Sequence, residues 1–149
     1  MTRTDVSASV LEAKRRLGLT WKTIAETLGT GSPVFYTAAL LGHQTLTPEE
    51  AQKAGTLLEL DEEQTRILAE RPEERGSVLK MPPADPLIYR FYEIVQGYGP
   101  TLKELIGEQF GDGIMSAIDF SMRIEREADP KGDRVKITMS GKFLPYKRF

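Results

Sequence analysis

The sequence predicts an α+β fold: an N-terminal helical bundle followed by a small C-terminal helix-and-hairpin domain. Three observations predict it. Apolar residues recur at helical spacing through about the first 70 residues. A proline-rich stretch, "RPEERGSVLKMPPADP" (Arg71 to Pro86), then interrupts that period with four prolines and one glycine, and reads as a linker. From Ala117 the apolar period changes to two, the mark of strands. These breaks set a helical bundle domain with its linker at 1–83 and a C-terminal domain at 84–149.

The elements follow in order. Val6, Val10, Leu11, Ala13 and Leu17 mark a first helix ended by Gly18. Thr20 opens a second, "TWKTIAETLG", with Trp21, Ile24, Ala25 and Leu28 on one face and Gly29 as its stop. Ser32-Pro33 supplies a cap and a first-turn proline for "VFYTAALLG". Thr47-Pro48 opens a fourth helix, and Thr47 with Glu50 fits a capping box. Asp61 begins a fifth, "DEEQTRILAE". Beyond the linker, Asp85 and Pro86 start a helix whose stripe is Ile88, Phe91, Val95 and Tyr98. After Gly97-Tyr98-Gly99 a separate helix is expected over "PTLKELIGEQF", capped by Thr101 and Glu104. Ile118, Phe120, Met122 and Ile124 then alternate with polar residues, "DPKGD" turns the chain, and Val135, Ile137 and Met139 alternate again. A lone hairpin is marginal in water, and about 65 residues supply only a small core. Association with a second copy of the chain is therefore expected from size alone.

Composition excludes several function classes. With 40% hydrophobic and 28% charged residues among 149, the chain has the profile of a soluble globular protein. A formal net charge of −2 argues against nucleic acid or an anionic membrane as partner. There is no cysteine, which rules out disulfides, thiolate metal sites and cysteine nucleophiles. No signal-peptide core and no membrane-length apolar run are seen, so a cytoplasmic location is expected.

"LTWKTIAETLGTGSPVFYTAALLG" is similar to the helix-turn-helix of phage-repressor-like DNA-binding domains. Reading bases requires polar and basic side chains on the second helix. "SPVFYTAALLG" holds no Lys, Arg, Asn or Gln, and only His43 and Gln44 follow before Glu49 and Glu50. Without phosphate contacts there is no counterion release to provide affinity. The arrangement reads instead as a bundle for packing and subunit contact. His43, the single histidine, reads as a solvated or capping residue. Glu59, Asp61, Glu62 and Glu63 read as a solvated helix start that complements the helix dipole. "FGDGI" has neither dinucleotide nor Walker spacing, so it carries no nucleotide site.

Arg90 and Glu93 stand out because they sit among apolar residues in "YRFYEIVQGYG". At i,i+3 on a helix they share a strip with Gly97. Spacing alone favours an exposed ion pair worth a few tenths of a kcal/mol. A functional reading needs a pocket that desolvates the pair. There, arginine would offer planar donors for small carboxylate-like anions, and the carboxylate would orient it or act as an acid. Ser116 lies between "FGDG" and the first strand, with no partnered base in view.

"DPLIYRFYEIVQGYGPTLKELIGEQFGDGIMSAIDFSM" and the closing "GKFLP" closely resemble cyanase, also called cyanate hydratase or cyanate lyase. "IAETLG" and "TAALLGHQTL" fit the looser N-terminal pattern of that family. The resemblance implies that Arg90, Glu93 and Ser116 are the catalytic residues. It implies bicarbonate-dependent decomposition of cyanate to carbamate and carbon dioxide, with carbamate then giving ammonia and carbon dioxide. It also implies a homodecamer of five dimers, with interlocked C-terminal domains and sites shared between subunits. No metal or organic cofactor is expected; bicarbonate is a co-substrate. Glu93 either orients Arg90 or takes part in proton delivery.

Overall fold

A computed structural model describes residues 1–72 and 81–149; residues 73–80, the middle of the stretch read as a linker, lie outside the described residues. The chain divides into two compact units. One comprises Met1–Val78 with Met122–Ile137, the other Leu79–Ser121 with Thr138–Phe149.

Five helices build the first unit: α1 (Arg3–Arg16), α2 (Trp21–Leu28), α3 (Pro33–Leu40), α4 (Pro48–Leu58) and α5 (Glu62–Ala69). Their starts follow the capping residues. Thr20 accepts from the Thr23 amide, Ser32 from Val34, Thr47 from Glu50 and Asp61 from Gln64. α1 begins ahead of its apolar stripe, because Thr2 and Asp5 form a capping box of their own. Val6, Val10, Ile24, Leu28, Leu40, Leu58 and Leu68 are the largest fully buried side chains. Each stabilises the bundle by about 1.5–3 kcal/mol. Leu11, one position round the helix from Val10, falls on the flank of that stripe and is 44% exposed.

The ends of α3 and α5 are tied to α1 by one cation. The Arg3 guanidinium donates to the carbonyl oxygens of Ile67, of Ala39 at 2.8 Å and of Gln44 at 3.1 Å. The Ile67 and Ala39 carbonyls also accept from the Glu70 and Gly42 amides, each at 3.1 Å, so Arg3 is a second donor to helix ends whose last carbonyls have few partners within the helix. Around the α2–α3 turn, the Tyr36 hydroxyl accepts from the Gly31 amide at 3.2 Å and donates to Glu50 at 3.1 Å.

Beyond residue 80 come α6 (Pro86–Phe110) and two strands, β1 (Gly113–Glu127) and β2 (Arg134–Pro145), paired as an antiparallel hairpin. The α+β class is as expected, with two differences in detail. The two helices expected over 86–110 are one, with Pro100 inside it. Proline removes a single amide donor from the ladder, and the bonds on either side carry the helix past it. Thr101 and Glu104 are therefore interior residues, not a capping box. β1 begins at Gly113 rather than Ala117, which puts Ser116 inside the strand.

The hairpin turn is built by Asp129. Its carbonyl accepts from the Gly132 amide at 3.0 Å, and its carboxylate accepts from the Lys131 amide at 2.9 Å and Arg134 Nε at 3.0 Å. Asp at the first position, Pro130 at the second and glycine at the fourth suit a tight turn. At the other end, Phe110 and Phe143 stack with centroids 5.3 Å apart, and the Tyr146 amide donates to the Asp112 carbonyl.

The two units differ in one respect. The bundle has a core, whereas no residue of α6 is buried. Val95 is 63% exposed, Tyr98 65% and, on β1, Ile118 97%.

Candidate functional site

Asp85 places the site helix. Its carboxylate accepts from the Leu87 and Ile88 amides at 2.9 and 3.0 Å, and Pro86 follows in the first turn. That cap fixes where Arg90 and Glu93 emerge, one turn apart. Arg90 Nη1 donates to Glu93 Oε2 at 2.9 Å. The arginine side chain is 69% exposed and the glutamate 40%. One guanidinium N–H is thus held by the carboxylate, while the side chain is otherwise largely exposed. A Cβ at Gly97 would meet nothing within 4 Å, so the strip above Glu93 is open. An oriented guanidinium with donors to spare, on an open apolar helix, is suited to a small planar anion.

Ser116 is only 5% exposed, although most of β1 around it is open. Its Oγ accepts from the Ile118 amide at 3.1 Å and the Asp119 amide at 2.9 Å. Serine commonly makes such local bonds, and they reshape the backbone two and three residues on. With two N–H groups on its oxygen, the hydroxyl retains one function, donation of its own proton. It can bond an anion, and nothing beside it activates it as a nucleophile.

The structure joins Arg90 to Glu93. Among the described residues no hydrogen bond links either of them to Ser116. A groove of about 830 Å³ between the end of α6 and the start of β1, lined by Lys103, Glu104, Asp112, Met115 and Tyr146, holds none of the three. His43 is exposed, and its amide donates to the Ala38 carbonyl at the end of α3, at 2.8 Å. Glu59 pairs with Arg16 at 2.6 Å, and Asp61, Glu62 and Glu63 form the start of α5. Among the described residues no group of three or more His, Asp or Glu could hold a metal ion, and no helix is long and apolar enough to cross a membrane.

Gly141 of β2 opens the quoted "GKFLP" but was given no role of its own by the sequence pattern. A Cβ there would overlap the Ser116 carbonyl oxygen and lie 2.6 Å from Met115 Cγ. The available signal was an isolated glycine inside an alternating strand, which often marks a close backbone approach.

Comparison with other proteins covers the whole chain. Residues 3–72 match the family model described as "Cyanate hydratase, N-terminal", and residues 80–148 match "Cyanate lyase C-terminal domain". The chain is 54% identical over 149 residues to a cyanate hydratase of Dechloromonas aromatica, covering 100% of both chains. It is 53% identical over 149 residues to that of Ralstonia pickettii, again covering 100% of both. Among solved structures it is similar to the cyanase of T. urticae, with a TM-score of 0.77 and 36% identity over 94% of this chain and 96% of that one.

Proposed function

The chain belongs to the cyanate hydratase family of lyases and acts in the decomposition of cyanate; on that premise we propose that it does so with bicarbonate as co-substrate, giving carbamate and carbon dioxide. Carbamate then breaks down to ammonia and carbon dioxide. The observation that carries this reading is the Arg90–Glu93 pair, with donors left over on an outward-facing guanidinium.

Cyanate and bicarbonate are both anions, and in water they repel each other. A fixed cation offsets that repulsion and holds both at reacting distance. The bicarbonate oxygen attacks the cyanate carbon, forming a C–O bond in an adduct that carries both negative charges; breaking the bond between that oxygen and the bicarbonate carbon then releases carbon dioxide and leaves carbamate. Cyanate, bicarbonate and one proton balance against carbamate and carbon dioxide. Bicarbonate brings one of the two protons that carbamate nitrogen needs, and the other comes from solvent or an acid. Arg90 binds the anions and the adduct. Ser116 donates a hydrogen bond to one of them. Glu93 orients Arg90 or takes part in proton delivery to the cyanate nitrogen. The reading uses no metal and no organic cofactor.

The same reading makes the protein a homodecamer of five dimers with sites shared between subunits. Supporting it is the apolar surface of α6 and the hairpin, which a single chain leaves in water. A helix with this stripe is stable when a partner covers it. Neither nucleic acid nor membrane is a partner in this scheme, since α3 offers bases and phosphates no basic side chain. A cytoplasmic setting fits a chain without cysteine.

Ammonia release from cyanate, with and without bicarbonate, tests the proposal. Release should require bicarbonate, and Arg90→Leu should lower it by about 100-fold or more while leaving assembly intact. Near-normal release by Arg90→Leu would overturn the role of Arg90. No ammonia from assembled wild type under either condition would overturn the activity.

A further inference from the structure

If Ser116 serves by donating one hydrogen bond, its backbone must be held still, and the hairpin contains a device that does this. Two constraints meet at the residue. From its own strand, the amides of Ile118 and Asp119 both bond Oγ, which fixes the side-chain torsion and turns the hydroxyl proton away from them. From the facing strand, β2 approaches so closely at Gly141 that a Cβ there would overlap the Ser116 carbonyl oxygen. The same Cβ would lie 2.6 Å from Met115 Cγ, but that side chain is flexible and can turn aside. The carbonyl cannot move without carrying the Ser116–Ala117 peptide, and with it the segment that presents the two amides.

We propose that Gly141 is a positioning residue for the proposed cyanate reaction: the missing side chain lets β2 close on the Ser116 carbonyl, and this seats the hydroxyl between the Ile118 and Asp119 amides with its proton directed at substrate. The proposal rests on the reading of Ser116 as a substrate-binding residue. Gly141 touches no substrate and acts only through Ser116. An alanine at 141 displaces the Ser116 backbone by several tenths of an ångström. A misplacement approaching 1 Å costs about 100-fold, so a loss of about 10- to 100-fold in kcat/KM is expected.

The test is a double-mutant cycle in the assembled enzyme, with Gly113→Ala as the matched control. A Cβ at Gly113 also overlaps a carbonyl across the same two strands, that of Leu144, and lies 2.6 Å from Phe143 Cζ, but it does not touch Ser116. Gly141→Ala should lose its 10- to 100-fold in the wild-type background and less than about twofold in Ser116→Ala, because residues acting as one unit are not additive. Gly113→Ala should cost the same factor in both backgrounds. Equal losses for Gly141→Ala in both backgrounds, or coupling of the same size from Gly113→Ala, would overturn the proposal. If Ser116→Ala is itself fully active, the reading of Ser116 fails and takes the proposal with it. If Ser116→Ala is impaired but Gly141→Ala is not, the proposal alone fails. Should Gly141→Ala not assemble, amide exchange decides: Ile118 and Asp119 should be protected in the wild type and exchange several-fold faster in Ser116→Ala. Unchanged exchange at both amides would overturn the seat.

Discussion

Replacing Arg3 with leucine tests how far the bundle depends on one cation. Leucine keeps an apolar stem and removes the donors to the Ile67, Ala39 and Gln44 carbonyls. The Ile67 and Ala39 carbonyls keep the Glu70 and Gly42 amides as donors, so the loss is that of the three Arg3 bonds themselves, about 1 kcal/mol net each and about 3 kcal/mol together. Arg3 Nε is buried without an acceptor, and removing it returns about 1 kcal/mol. The net destabilisation of about 2 kcal/mol corresponds to a fall of about 8–16 °C in the melting midpoint of a unit this size. Burial pushes the guanidinium pKa down while the charge of Glu70 opposes the shift, and arginine is still cationic at neutral pH. Arg3→Lys keeps the charge as a compact donor that cannot span three acceptors, so its loss should be intermediate. The assay is thermal unfolding of the full chain followed by far-UV circular dichroism at fixed protein concentration. A leucine variant melting within about 2 °C of wild type would refute the reasoning.

Two further predictions concern the local geometry. In an exposed helix Gly→Ala stabilises by about 1 kcal/mol, but Gly55→Ala should destabilise by about 1–3 kcal/mol. Its Cβ would overlap Thr65 Oγ1 and lie 2.8 Å from Thr65 Cγ2. Urea unfolding measures this; Thr65→Ala should relieve the loss, and a stabilised Gly55→Ala would contradict the close packing of α4 on α5. The second prediction is a pH dependence. Bonds from Thr2 hold the Asp5 carboxyl below its ordinary range, and the Lys131 amide with Arg134 does the same for Asp129. A carboxyl depressed in the folded state stabilises above its unfolded value and loses that contribution as pH falls through the folded one, so the window lies below about pH 4. Asp5→Asn and Asp129→Asn should each be less stable than wild type at neutral pH and converge with it in strong acid. A gap that stays constant between neutral and strongly acidic pH would contradict both.

Helix starts were legible in the sequence because a cap involves residues only three or four apart. Thr20, Ser32, Thr47, Asp61 and Asp85 all occupy the N-cap positions that their neighbours predict. The same locality misleads at Thr101 and Glu104. A Ser/Thr with an acid three residues on caps a helix only where the chain before it is not helical, and here α6 runs through. The Arg90–Glu93 contact was likewise legible, since i,i+3 spacing brings the two within reach. Ser116 was legible as a residue but not as a conformation. Its bonds to Ile118 and Asp119 do not follow from the alternation, and Ile118 and Ile124, on the face that period two makes apolar, are 97% and 60% exposed in the single chain. No local rule relates α6 to β1, nor either of them to another subunit. The residue types of the site could therefore be named from sequence, but how they combine could not.

The uncovered helix α6 also has a consequence for how the protein comes into being. Residues 3–69 enclose an interior and can collapse at a rate set by one chain. Residues 86–110 have no buried side chain within that chain, so in the assembly proposed above their final ordering waits on an encounter between chains. Maturation then has a first-order phase followed by one whose rate rises with concentration. In the interval an aromatic-rich helix stands in water, competent to join the right partner or the wrong one. Dilution during refolding lengthens that interval and crowding of identical nascent chains shortens it, so the yield of active enzyme depends on how many copies are made together.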